Sequence, residues 1–109
     1  MRQKRPQRAA RRTAAKRHIV ENPNGPDLEF FGECLVEETH CCTGAVAVYR
    51  TQGGTLVVSQ IRRDHEPEAA IERVSTIGSI DELAAWLGHS RGAKSILAKL
   101  GHPVRQWID

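Results

Sequence analysis

The clearest pattern along the chain is a pair of β-rich runs with a glycine turn between them. Ala45-Val46-Ala47-Val48-Tyr49-Arg50-Thr51 and Thr55-Leu56-Val57-Val58-Ser59-Gln60-Ile61 are joined by Gln52-Gly53-Gly54. Branched and aromatic side chains suit a pleated, half-buried surface, and glycines supply the positive φ of a tight turn, so the segment predicts a β-hairpin. Upstream, Leu28 to Glu37 also has strand character, with Gly32 marking a bulge or bend. A further strand is predicted over Ala70 to Ile77.

The period then changes from two to that of a helix. Ser79-Ile80-Asp81-Glu82 has the spacing of a capping box, with Ser79 as N-cap and Glu82 three residues on. The helix it opens runs through Leu83 and Trp86 to Leu87, and Gly88 is placed to stop it. Ser90 is positioned to cap a second helix, in which Ala93, Ile96, Leu97 and Leu100 form one apolar face. Gly101 and Pro103 close it. Strands followed by helices predict an α+β fold: a small antiparallel sheet of three to four strands, with two short C-terminal helices packed on one face.

Before the first predicted strand the pattern disappears. Residues 1–18 carry Arg2, Lys4, Arg5, Arg8, Arg11, Arg12, Lys16 and Arg17, half of the chain's 16 basic residues, and none of its 13 acidic ones. The segment is therefore +8 and the remainder −5, a separation hidden by the formal net charge of +3. Eight like charges among alanines cannot build a core, so residues 1–18 are expected to form a disordered basic arm. Residues 19–27, with Asn22-Pro23-Asn24-Gly25-Pro26, are expected to be a linker, and residues 28–109 the folded domain. A chain of 109 residues has room for one such domain.

Several classes of protein are set aside by the same features. No stretch approaches the ~20 apolar residues of a membrane span, and no apolar segment follows the basic N-terminus as in a secretory signal. An arginine- and alanine-rich leader also suits a mitochondrial transit peptide, but Pro6 and the dense charge make a poor amphipathic helix. Three cysteines, an odd number, point to reduced thiols and a cytoplasmic setting.

Candidate chemistry is sparse. Cys34, His40, Cys41 and Cys42 invite a zinc reading, but adjacent cysteines and a C-x₆-C spacing do not make a zinc knuckle. The plainer expectation is a core thiol at Cys34 and loop thiols at Cys41 and Cys42. A Cys–His couple with His65 can be drawn only arbitrarily, and the chain has no phosphate-binding glycine loop or serine nucleophile elbow. Glu37-Glu38 and Asp81-Glu82 read as solvated charges. No catalytic residue, metal or cofactor is expected.

Binding is the better-supported class. Lysines and arginines that neutralise phosphates release counterions, which gives salt-sensitive and largely sequence-blind affinity for nucleic acid. The arm has no aromatic residue on which bases could stack. The helix pair also allows a helix-turn-helix register with Gly88 at the turn. Arg91, Lys94, Ser95 and Lys99 would then be the contacts, but His89 and Lys94 fall where that motif buries aliphatic residues.

Phe31-Gly32-Glu33, Val48-Tyr49-Arg50-Thr51 with Gly53-Gly54 and Val57-Val58, Ser79-Ile80-Asp81-Glu82-Leu83, and the close on Gln106-Trp107-Ile108-Asp109 resemble the EXLDI family of small bacterial proteins. The likeness runs from Phe31 to Asp109. The family signature Glu-x-Leu-Asp-Ile is only approximated here by Trp107-Ile108-Asp109, and the ribbon-helix-helix-like segment of many members is replaced by the basic arm. The resemblance implies a small bacterial accessory protein, carried on a mobile element, whose N-terminal appendage contacts DNA.

The expectation is therefore a non-enzymatic accessory protein that binds nucleic acid through the arm and a protein partner, or a second copy, through the domain. One alternative is a phage- or plasmid-encoded inhibitor of a host protein, with Trp86 or Trp107 as aromatic anchor. Another is a ribosome-associated protein.

Overall fold

The structure, a computed structural model, describes residues 15–108. Five strands form one curled antiparallel sheet: β1 (Lys16–Val20), β2 (Leu28–His40), β3 (Gly44–Thr51), β4 (Leu56–Arg62) and β5 (Ile71–Ile77). Their order in the sheet is their order in the chain. A 3₁₀ turn, Pro67–Ala69, precedes β5, and helices α1 (Ile80–Leu87) and α2 (Arg91–Lys99) follow it.

The hairpin, β5 and both helices lie where the sequence pattern predicts them. The count of three to four strands is corrected to five, and the added strand is β1. It was hidden because Lys16 and Arg17 read as part of a charge run and Ile19 and Val20 as the start of a linker. In the sheet these five residues pair with Leu28 to Gly32, Val20 is buried, and the chain returns through the Asn22–Asp27 turn.

Strand β2 is long because it serves two neighbours, β1 along its first part and β3 from Gly32 to His40. Its register shifts between Cys34 and Val36, which leaves Leu35 as the extra residue of a bulge. Gly32, the residue whose sequence signalled a bend, lies hard against β3: a Cβ there would stand 2.1 Å from the Arg50 carbonyl oxygen.

The core draws Val36, Val46, Val48, Leu56, Val58 and Ile77 from the sheet together with Leu83, Leu87, Ala93, Ile96 and Leu97 from the helices. Burying each of the larger side chains is worth about 1.5–3 kcal/mol. The caps act as their spacing predicts. Ser79 Oγ accepts from the Glu82 amide at 3.2 Å, and Ser90 Oγ accepts from the Ala93 amide at 3.1 Å. Gly88 ends α1 at φ 85°, a conformation that favours glycine. Among the described residues no helix is long and apolar enough to cross a membrane.

Candidate functional site

Of the eight arm cations, Arg2, Lys4, Arg5, Arg8, Arg11 and Arg12 lie outside the described residues. Lys16 and Arg17 open β1, an edge strand, and both are exposed. Arg17 pairs with Glu29 on the facing strand. His18 turns the other way, with Nε2 3.2 Å from the Gly32 carbonyl and its ring packed on Phe30 and Tyr49 at centroid distances of 5.4 and 5.0 Å.

The candidate contacts on α2 divide between solvent and sheet. Arg91 and Lys94 are exposed, while Ser95 and Lys99 reach back to Glu38 on β2. His40 Nε2 also approaches Glu38, at 2.7 Å. Lys99 foremost, then His40 and Ser95, hold the Glu38 carboxyl down to about 2 despite its burial. Lys99 is thus committed to a carboxylate within the fold. His89 and Lys94, which break the helix-turn-helix pattern in sequence, are both exposed.

The tryptophans differ in setting. Trp86 is half-buried against the core, with the Arg73 guanidinium over its ring. Trp107 lies beyond α2 with 93% of its surface exposed, and Ile108 beside it is 74% exposed.

The curl of the sheet creates a feature with no counterpart in the sequence pattern. On the face opposite the core cluster, two adjoining hollows of about 300 and 240 Å³ share Tyr49, Ser59 and Ile61. One extends over Ala47 towards Glu37 and Thr39, and the other runs between Val20 and Glu21 at one end of the sheet and Glu72 and Val74 at the other. Only the curl can bring β1 towards β5, since the two strands are the opposite edges of the sheet. The floor mixes Ala47, Ile61 and Val74 with the Tyr49 and Ser59 hydroxyls. The ionised groups among the described lining residues are carboxylates, and burial, with Cys34 and Glu37 nearby, pushes the Tyr49 phenol up. Such a surface repels phosphate.

Cys34 stands apart from the other two cysteines. Cys34, expected as a core thiol, is exposed on the middle of β2, on the side that carries Tyr49, because the bulge follows it. Cys41 and Cys42 lie in the turn between β2 and β3, as expected of loop thiols, and both are exposed. Among the described residues no group of three or more His, Cys, Asp or Glu is arranged to hold a metal ion.

No family model, curated protein or solved structure matches the chain. The geometry and charge of its own residues are therefore the basis for a functional reading.

Proposed function

We propose that the chain is a non-enzymatic accessory protein that binds nucleic-acid backbones through its basic N-terminal residues and engages a protein partner, or a second copy, through the α+β domain. The observation that carries this reading is the separation of charge, +8 over residues 1–18 and −5 over the rest. The basic run continues into the sheet at Lys16 and Arg17, two exposed residues on an edge strand, so the arm is joined to the domain through a paired strand. Phosphate neutralisation needs no pocket, only a dense row of cations.

The rest of the surface is consistent with that division of labour. The carboxylate-lined hollows disfavour a polyanion, and Lys99 is occupied by Glu38. In this reading both helices cover one face of the sheet, and the exposed Trp107 serves as an anchor for the partner. The resemblance to the EXLDI proteins points the same way, towards a bacterial accessory role at DNA.

The test is a salt titration of binding to generic duplex DNA and to structured RNA. Full-length protein is compared with a full-length variant in which Arg2, Lys4, Arg5, Arg8, Arg11 and Arg12 are replaced by Gln, which leaves β1 intact. Neutralisation of ~6 duplex phosphates gives a slope of log affinity against log salt of about −5, lost in the variant. Failure of the parent to bind either nucleic acid at low salt, or an unchanged slope in the variant, overturns the reading.

A further inference from the structure

Neighbouring side chains on a strand point to opposite faces, but Cys41 and Cys42 belong to a turn and escape that alternation. Their Sγ atoms lie 3.6 Å apart, and both residues are exposed. The backbone that carries them is held from three directions. Arg62 Nη1 donates to the Cys42 carbonyl at 3.1 Å, and Gln60 Nε2 donates to the Thr43 carbonyl at 2.7 Å. The Thr43 and Ser90 hydroxyls share a hydrogen bond of 2.6 Å, which ties the turn to the start of α2. The two thiols are thus presented together by an ordered frame.

The sulfur separation discriminates between the things two thiols can do. A disulfide would require the sulfurs to close to about 2.05 Å, and adjacent Cα atoms about 3.8 Å apart lie below the usual disulfide span of about 4.4–6.8 Å, so the bond would be strained and easily reduced. A soft ion bound linearly, with bonds of about 2.3 Å, would need the sulfurs about 4.6 Å apart. Bonds of that length at the angle of about 100° typical of a pyramidal trivalent centre set them about 3.5 Å apart, close to the spacing seen. Zinc, with its tetrahedral angle, would set them about 3.8 Å apart but requires four ligands, and no such set is gathered among the described residues. A trivalent pyramidal centre needs only two sulfurs, because its third bond is to a substituent it already carries.

We propose that Cys41 and Cys42 form a bidentate dithiol site for trivalent arsenic, delivered as an organoarsenic oxide that gives up its oxygen. Two S–H bonds and the arsenic–oxygen double bond break, two arsenic–sulfur bonds form, and one water leaves. Arsenic stays trivalent, so no oxidant or reductant is required. The site is independent of the nucleic-acid reading, since neither thiol lies in the arm.

Phenylarsine oxide, added to the reduced full-length protein and followed by intact mass, tests the site. The expected result is a single adduct, heavier by the reagent less one water, that survives a large excess of glutathione and is removed by a small-molecule dithiol. Cys41→Ser and Cys42→Ser should each weaken binding by about a hundredfold through loss of the chelate, whereas Cys34→Ser should leave it unchanged. A far-UV spectrum verifies that the serine variants keep the fold. An adduct retained by both Cys41→Ser and Cys42→Ser, abolished by Cys34→Ser, or stripped from the parent by glutathione would overturn the proposal.

Discussion

Arg73 sits over the ring of Trp86, its guanidinium carbon 3.7 Å from the ring centroid. The same guanidinium donates to Gln60 Oε1 at 2.7 Å and to the Trp86 carbonyl at 2.8 Å. One cation therefore joins β5, β4 and α1, and its burial lowers its tendency to hold a proton without displacing it from the charged form.

Trp86 should consequently report on stability. Trp86→Ala is expected to cost about 2–3 kcal/mol, less than a fully buried aromatic because the ring is half-exposed. Trp86→Phe should recover much of that. Urea denaturation measures both, and a midpoint unchanged by Trp86→Ala would show that the ring contributes nothing to the fold.

Glu38 makes stability depend on acid. Its folded-state pKa of about 2 lies below the ordinary 4.5, so its stabilising effect is complete above the ordinary value and is lost as pH falls towards 2. Lys99 is 61% exposed, so solvent weakens the pair, and a contribution of about 2 kcal/mol is expected. Comparing parent with Glu38→Gln by denaturation between pH 6 and about 2.5 should show the difference between them shrinking as the pH falls. A constant difference across that range would refute the assignment.

Gly32→Ala should be among the most damaging small substitutions. The new methyl would meet the Arg50 carbonyl at 2.1 Å and the Thr51 Cα at 2.9 Å, both backbone atoms that cannot swing aside. A loss of about 3 kcal/mol or more is expected, together with faster exchange of the β1–β2 amides. Parent-like stability would mean that the strands separate at this point without penalty.

The α2 cations separate two roles. Lys99→Gln should lower stability and leave nucleic-acid affinity unchanged. Arg91→Gln combined with Lys94→Gln should leave the salt slope within about one unit of the parent, because the arm carries the binding. A drop of about two units in the double variant would instead bring α2 into the interface.

Much of the fold is legible from local chemistry. The β3–β4 hairpin is carried by Val46, Val48, Val57 and Val58 around a glycine turn, and both helices are announced by Ser79 and Ser90. Strand β1 is not legible, because it offers only Ile19 and Val20 after a basic run and gains its identity from pairing with Leu28 to Gly32. The hollows on the open face are equally hidden. They depend on the curl that carries Val20 towards Val74, two residues more than fifty positions apart with no shared pattern. Adjacent cysteines are plain in the sequence, but only the turn sets their sulfurs side by side. The six cations before Ala15 are evident in composition and lie outside the described residues.

The agreement between strand order and chain order has a kinetic consequence. Each strand leaving the ribosome meets the partner made just before it, so the meander can zip up during translation with small loop-closure costs. The apolar side of that sheet is covered only in part by Leu83 and Leu87 of α1, however, until α2 arrives and Ser95 and Lys99 clasp Glu38, a residue made more than fifty positions earlier. A nascent chain stalled before residue 91 would leave the β2 side of that face, around Val36, without its cover, a sticky intermediate that quality control would recognise.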